Sequence, residues 1–342
     1  MPDIPLTLGQ ASAADAALAL DQVAFLVATA GRAPSVHNRQ PWQFRVHQNG
    51  LDLFADPARR LRAIDADGRE MLISCGAALF GLRLGLRNLG YQATVELLPD
   101  PGHPSLLARV RLGRRAPLTP EECEMLAAVP HRHTHRGSFS PEPVPAGLLP
   151  RLQHDAIAEG ATLVLVDQRS QGQLRDLVEA AARWQQRNRV IRDELREWTG
   201  ARGSDTRDGV PPSAYPSLTG GQADAPAGWD GVLTRRDFDQ GHGEGQLETG
   251  GPPPSVTAIL VTAGDTPTDW LRAGQALNRV LVHAASVWVF AALNSQPMES
   301  RPLRTLVRSR LCLPGAPQML LQFGRAHTSA PTARRPVGEL IC

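Results

Sequence analysis

Two stretches far apart in the chain are spelled alike: Cys75-Gly-Ala-Ala-Leu-Phe-Gly-Leu-Arg-Leu and Ala273-Gly-Gln-Ala-Leu-Asn-Arg-Val-Leu-Val. Each opens with Gly-x-Ala-Leu, small residues that let a helix lie close against a neighbour. Each is followed further on by a strand pattern, Leu106-Leu-Ala-Arg-Val or Met319-Leu-Leu-Gln-Phe. Self-similarity at long spacing marks a repeated structural unit, so the chain is expected to be a fused pair of related halves. Its 342 residues allow this, since a domain takes roughly 100 to 200 residues.

The elements follow from periodicity and punctuation. In the first half, residues 13–30 have the apolar spacing of a helix that Gly31 stops. Trp42 to Val46 and Leu51 to Phe54 read as strands around an Asn49-Gly50 turn signal. A long helix is expected from Arg69 to Leu89, ended by Gly90, then strands Ala93 to Leu98 and Leu106 to Leu112, closing a first half at 1–115. The second half, 116–342, opens with Pro117 and Pro120 and a short helix that Pro130 ends. It continues with a helix near Ala146 to Ala158, a strand Thr162 to Val166, and a long helix through Trp198. Beyond it are expected a strand Val256 to Thr262, a helix Asp269 to Leu293, and a strand Gln318 to Phe323. Residues 199–254 are rich in Gly, Pro, Asp and Ser and read as an insertion, either a lid or a disordered segment.

Composition removes several classes of function. With 42% hydrophobic and 20% charged residues the chain is neither disordered nor collagen-like. Arg83, Arg87 and His283 interrupt the longest apolar runs before the ~18 residues that a membrane span needs. The 36 basic against 34 acidic side chains are too balanced for a nucleic-acid track, and every basic one is Arg. With no Lys, a Walker A lysine and a Schiff-base lysine are both excluded, whereas Arg suits bidentate contact with a phosphate. Cys75, Cys123, Cys312 and Cys342 form no Cys-x-x-Cys or disulfide framework. The opening residues lack the basic and apolar regions of a secretory signal, so a cytoplasmic protein is expected.

Two short segments carry the chemistry. In Ala33-Pro34-Ser35-Val36-His37-Asn38-Arg39-Gln40-Pro41-Trp42, two prolines stiffen a polar loop and present Ser35, Asn38 and Gln40 beside a buried Trp, an arrangement that suits a flat polar heterocycle. Alternatively, it is a plain turn before a strand. In Arg132-His133-Thr134-His135-Arg136, two guanidinium groups flank a hydroxyl, which suits a phosphate dianion. At ~4 Å and an effective dielectric near 20 each charge pair is worth about 4 kcal/mol before desolvation. Arg334-Arg335 in the tail completes such a clamp, while the bland alternative for each cluster is a solvated surface. His131, His133 and His135 alternate as metal ligands on a strand would, but two adjacent Arg residues oppose a cation and no acidic cluster completes the set. The glycines at 241, 243 and 245 follow no strand and so lack the context of a nucleotide loop. There is no Gly-x-Ser-x-Gly elbow.

These segments resemble the FMN-dependent nitroreductase family, and within it the Acg-type branch of long, fused members. The Ala33 to Trp42 loop is similar to that family's APSxxNxQPW signature beside the isoalloxazine ring. The Arg132 to Arg136 run is similar to its phosphate-side motif. Gln296-Pro297-Met298-Glu299-Ser300 stands where the family has a Pro-x-Glu-Gly turn whose backbone N–H meets flavin N5, and Thr332 to Pro336 is similar to its C-terminal phosphate-gripping stretch. The resemblance implies an α+β nitroreductase-like fold with two related halves and central, mostly antiparallel sheets packed by helices. It implies FMN held by Pro34, Ser35, Val36, Asn38, Gln40, Arg132, His133, Thr134, Arg136, Pro297, Met298, Glu299, Ser300, Arg334 and Arg335, with no side chain nominated as acid or base. The usual family carries the Arg motif first and the loop later in each protomer of a dimer. Here the order is reversed, as in a fused pseudo-dimer keeping one of two sites, so one FMN per chain is expected.

Two functions follow from the resemblance. In one, NADH or NADPH reduces the flavin, which then reduces a nitroaromatic or quinone. In the other, residues 199–254 fold over the flavin as a lid and the protein sequesters FMN with little turnover, with Trp198, Tyr215 and Trp229 as candidates to stack on the ring. The expected partners are small molecules, with neither nucleic acid nor membrane, in a monomeric pseudo-dimer or a homodimer.

Overall fold

The computed structural model describes residues 17–137, 139–198, 207–211, 255–327 and 332–342. In the first half, helix α1 (Leu20–Gly31) leads through a polar loop into strands β1 (Trp42–His47) and β2 (Gly50–Ala55). Helix α2 (Arg69–Asn88) then leads to β3 (Tyr91–Leu97) and β4 (Leu106–Arg115). All pairings are antiparallel, in the order β1-β2-β4-β3.

The second half repeats this plan. After α3 (Pro120–Ala128) come α4 (Leu148–Ala158) and β5 (Thr162–Leu165), then α5 (Gln168–Arg187) and α6 (Arg189–Glu197). They are followed by β6 (Val256–Thr262), α7 (Pro267–Ser286) and β7 (Val289–Leu293). Helices α8 (Gln296–Glu299) and α9 (Arg301–Arg310) precede β8 (Ala316–Arg325), and α10 (Val337–Leu340) ends the tail. The second sheet is again antiparallel, in the order β5-β6-β8-β7. Two four-stranded sheets with the same strand order, each with its long helix between its second and third strands, make this an α+β chain of two related halves.

The two Gly-x-Ala-Leu helices, α2 and α7, are the elements on which the halves meet. A Cβ placed on Gly76 of α2 would lie 2.2 Å from the carbonyl oxygen of Leu271, and one on Gly274 of α7 would lie 2.0 Å from that of Ile73. The same shift along the chain relates Ile73 to Leu271 and Gly76 to Gly274, so the contact is self-complementary, as at a two-fold dimer interface. Asn278 Nδ2 donates to Ala77 O across the crossing at 2.8 Å. Helix α2 buries nearly every residue from Ile73 to Leu86, the mark of a central helix. The tail returns to the first half: Leu340 lies in its core, Ile341 bridges Phe44 of β1, and Cys342 N–H donates to Phe44 O at 2.9 Å.

Some elements differ from the sequence expectation. The helix expected to run from Asp269 to Leu293 ends at Ser286, and Val289–Leu293 is an edge strand. The β-branched and aromatic run Val-Trp-Val-Phe prefers extended backbone once β8 offers it partners. The turn between them puts Trp288 at φ 59, the position where the first half has Gly90 at φ 81. The helix expected through Trp198 breaks at Asn188, whose side chain caps α6 by accepting from Val190 and Ile191 N–H. The Asn49-Gly50 turn shifts by one residue. Gln48 and Asn49 make the turn, and Gly50 starts β2, where a Cβ would sit 2.0 Å from Val110 O. The insertion at 199–254 lies outside the described residues except for 207–211, as do Tyr215 and Trp229. Among the described residues no helix is long and apolar enough to cross a membrane.

Replacing Gly274 with Ala drives a methyl into backbone that cannot yield, and overpacking of this kind costs roughly 1–3 kcal/mol or more. Urea unfolding should show that loss. Gly172→Ala, on an open face of α5 with nothing within 4 Å, should instead gain up to about 1 kcal/mol from helix propensity. A second prediction concerns pH. His283 on α7 sits 2.5 Å from the buried Asp155 of α4 and 3.5 Å from Glu121 of α3. The Asp155 hydrogen bond holds it above its ordinary value of 6.5, with Glu121 adding to this and Arg151 opposing. Its stabilisation is therefore full below about 6.5 and lost as pH rises through the higher folded value. His283→Gln should remove that slope from a stability-versus-pH profile.

Candidate functional site

The polar loop after α1 is held in a conformation that its sequence disfavours. His37, Asn38 and Gln40 all have left-handed φ, at 48°, 56° and 50°. Each such non-glycine residue costs about 1 kcal/mol or more. The surroundings impose it. Ser35 Oγ accepts from Gln40 N–H at 3.0 Å, and Arg39 reaches out to the carbonyls of Arg59 and Ala58 at 2.7 and 3.0 Å. The tail supplies the rest. Asn38 Nδ2 donates to Ala333 O and Asn38 Oδ1 accepts from Arg334 Nη1, both at 2.9 Å. Gln40 Oε1 accepts from the backbone N–H of Arg335 at 2.8 Å, and its Nε2 donates to Arg207 O at 2.8 Å.

The Arg motif lies in extended backbone beside β7: Thr134 bridges Ala291, and His135 N–H donates to Ala291 O at 2.9 Å. Extended backbone sends alternate side chains to opposite faces, which explains the alternation in His-Arg-His-Thr-His-Arg. The histidines pack on aromatic rings: His131 on Trp288 at 5.8 Å, His133 on Phe290 at 4.3 Å and His135 on Phe139 at 4.7 Å between centroids. Among the described residues the group with metal-holding geometry is Glu121, Asp155 and His283, and it contains none of these three.

Arg132, Thr134 and Arg136, with His133, line a pocket completed by Ser35, Asn38, Thr332 and Arg334. The recess is small, and its roughly 260 Å³ of empty space is partly open solvent. First half, second half and tail all contribute. The electrostatics are one-sided. Burial, then Arg136 and Arg32, pulls Arg132 down to about 10. Burial pulls Arg136 down to about 10. Arg334 is held well below its ordinary value by burial and by Arg132, Arg32 and Arg136. His133 is lowered too, chiefly by burial, and so is neutral at pH 7. Arg132 Nη2 donates to Arg32 O at 2.9 Å, yet its buried Nη1 and the buried Nε of Arg334 have no partner. Buried cations that repel one another, with donors left over, make a site for an anion.

The other residues expected at the site lie around this pocket or away from it. Pro34, Val36, Gln40 and Arg335 are not among its lining residues. Gln40 is fully buried and its amide is occupied by the tail and Arg207, so it braces the loop. The Arg335 guanidinium turns to Gln40 O and Glu339. Pro297, Met298, Glu299 and Ser300 form α8 and the start of α9, bordered by α5. The Glu299 N–H donates to Ser295 O at 3.1 Å, and its carboxylate accepts from Ser295 Oγ at 2.6 Å and from Gln185. Thr332, the first residue of the tail stretch singled out in the sequence, does line the pocket, whereas Arg39 has no signal of its own in the sequence because it acts through a fold contact.

Fold and site together define a class: a duplicated α+β protein with a cationic pocket where its two halves and its tail converge. No family model matches the chain. It is 33% identical over 330 residues to the Mycobacterium tuberculosis H37Rv protein named "Putative NAD(P)H nitroreductase Rv3131", covering 94% of this chain and 91% of that one. It is 29% identical over 336 residues to "Putative NAD(P)H nitroreductase acg" of the same strain, covering 96% and 97%. A solved nitroreductase with bound FMN from Desulfitobacterium hafniense DCB-2 covers 64% of this chain and 97% of its own, at 14% identity and a TM-score of 0.40. The chain belongs to the NAD(P)H nitroreductase family, in its Acg-type branch of fused members.

An anion that fills the pocket should stabilise the fold. Inorganic phosphate at a hundred times its dissociation constant is expected to add about 2.7 kcal/mol, read as a rise in melting temperature. Arg132→Met should abolish the rise and, by removing a buried unpaired charge, leave the phosphate-free protein no less stable.

Proposed function

We propose that the chain is a cytoplasmic FMN-dependent NAD(P)H oxidoreductase that reduces nitroaromatic or quinone-type acceptors. The observation that carries this reading is the pair of buried, partnerless guanidinium nitrogens, Arg132 Nη1 and Arg334 Nε, on two residues that line one pocket with Asn38 and Thr134. A phosphate monoester matches that donor set in charge and geometry. Arg132, Arg136 and Arg334 would hold the FMN phosphate, with Ser35, Thr134 and Thr332 as neutral donors and the rigid Pro34 to Pro41 loop setting the direction in which the ring leaves the pocket. FMN itself supplies the two-electron carrier, and the protein supplies binding, orientation and electrostatics.

Comparison of the halves supports one flavin per chain. The loop bearing Ser35 and Asn38 fills the α1–β1 connection, whereas its counterpart between α4 and β5 is only Glu159-Gly160-Ala161. The residue capping α1 is Arg32, and the one capping α4 is Glu159, which pairs with Arg83 and Arg279. A carboxylate stands where the first site has a cation.

A second reading, FMN sequestration with little turnover, is favoured by contacts that tie α6 and the residues near it to the first half. The Glu194 carboxylate accepts from the N–H groups of Ala63 and Ile64, Arg59 pairs with Asp208 at 2.8 Å, and the Arg39 guanidinium lies 3.4 Å from the Trp198 ring centroid. Absorbance of the purified protein should give one FMN per chain. A value near two contradicts the single site, and no flavin after reconstitution contradicts the cofactor. Stopped-flow mixing with NADPH should bleach the flavin rapidly, while persistent yellow colour selects sequestration.

A further inference from the structure

Three helices of the second half bring a histidine and two carboxylates together, and none of the three residues lines the anion pocket. His283 Nδ1 of α7 faces Asp155 Oδ2 of α4 at 2.5 Å and Glu121 Oε1 of α3 at 3.5 Å. All three ligand atoms lie within 4.8 Å of one another. Asp155 is fully buried and His283 nearly so, while the Glu121 side chain is 45% exposed. The cluster is therefore closed on the α4–α7 side and open to solvent at α3.

The fold does not need charge at this place. The shift that relates Gly76 to Gly274 also relates Gly81 to Arg279 and Gly85 to His283. In the first half those glycines let α1 close on α2: a Cβ on Gly85 would lie 3.0 Å from Leu26 Cδ2, and one on Gly81 would lie 3.0 Å from Ala30 Cα. The second half instead carries Arg279 and His283, both bonded to Asp155, which lies on the buried stripe of α4 with Leu148, Leu152 and Ala156. Buried ions are often no more stabilising than well-packed apolar groups, so a packing rule kept in one half and broken in the other marks a site.

The donor set suits zinc. One imidazole nitrogen and two carboxylate oxygens give three ligands and leave a fourth position open. With metal–ligand bonds of roughly 2.0–2.2 Å, tetrahedral ligands stand about 3.3 Å apart. The Glu121–His283 separation is close to this, and Asp155 Oδ2 has to withdraw by less than about 1 Å. Arg279 Nε holds the other oxygen, Oδ1, at 2.8 Å, which orients the carboxylate and leaves Oδ2 for an ion. The Arg279 charge is shared with Glu159, which also pairs with Arg83, and the opposing Arg151 is exposed and screened by solvent.

We propose that Glu121, Asp155 and His283 form a zinc-binding site that clips α3 to the α4–α7 pair. The ion takes the place of the proton on His283 Nδ1, which leaves to solvent.

The test is a calorimetric titration of the chelator-treated full chain with Zn²⁺, repeated with Co²⁺ and followed by visible absorption. One ion per chain, a higher melting temperature on binding and the intense visible bands of tetrahedral Co²⁺ are expected. Glu121→Gln and His283→Gln should each weaken binding by more than the roughly 10–100-fold that loss of an outer-shell partner costs. Glu121 is half exposed, so its variant decides the matter should His283→Gln not fold. Failure of the wild-type chain to bind Zn²⁺ overturns the inference. So does binding that persists unweakened in Glu121→Gln, which would put the ion on exposed histidines such as His103. None of these readouts requires bound flavin, so the outcome stands apart from the functional reading above.

Discussion

The close crossing of α2 and α7 is the contact on which the rest of the structure depends. With Gly76 and Gly274 facing each other's backbone, the helices approach more closely than any side chain allows, and each sheet is held on its own side of the pair. Everything placed at the seam inherits its geometry from this approach. Asn278 on α7 bonds Ala77 on α2, and Arg69 at the start of α2 reaches Gln318 and Met298 in the other half. A separate dimer has to find such an interface by association. Here fusion makes it intramolecular, and the two halves are free to diverge because neither is constrained to serve twice.

That divergence is written in the equivalent positions. Gly90 ends α2 in left-handed backbone without strain, while its counterpart Trp288 holds the same conformation against its own Cβ. The β1–β2 connection is the two-residue turn Gln48-Asn49, whereas the β5–β6 connection carries α5, α6 and the residues up to Val256. Arg32 caps α1 next to the cationic pocket, and Glu159 caps α4 inside an ion-pair network with Arg83 and Arg279. The chain has therefore put its positive charge at one end of the pseudo-symmetric seam and its balanced charge at the other. A buried cluster of like charges carries desolvation and repulsion costs that a bound anion would offset.

The strain in the loop belongs to the same design. Three left-handed residues within Val36–Gln40 would relax in an isolated peptide. They persist because Arg39 is anchored to the Ala58–Arg59 carbonyls and because Asn38 and Gln40 spend their amides on the tail. Asn38 and Arg334 thus position each other, and the pocket is assembled only when the far end of the chain returns to the first half through Leu340 and Ile341.

The sequence by itself determined the duplication, most of the elements, and the two motifs that meet in the pocket, because these rest on local causes: small residues at helical spacing, glycine at left-handed helix ends, proline around a polar loop, and Arg alternating with His. It did not reveal that Val287 to Leu293 leaves the helix, since the pull toward extended backbone comes from β8, which is remote in the chain. Nor did it reveal that the motif histidines pack on Phe290, Phe139 and Trp288, with His133 also joining its Arg neighbours along the pocket, or that Gln40 braces the tail. Glu121, Asp155 and His283 bore no motif, and their convergence exists only once α3, α4 and α7 are in place. A residue's type sets which contacts it is able to make. Which of them it makes depends on partners that only the folded chain brings within reach.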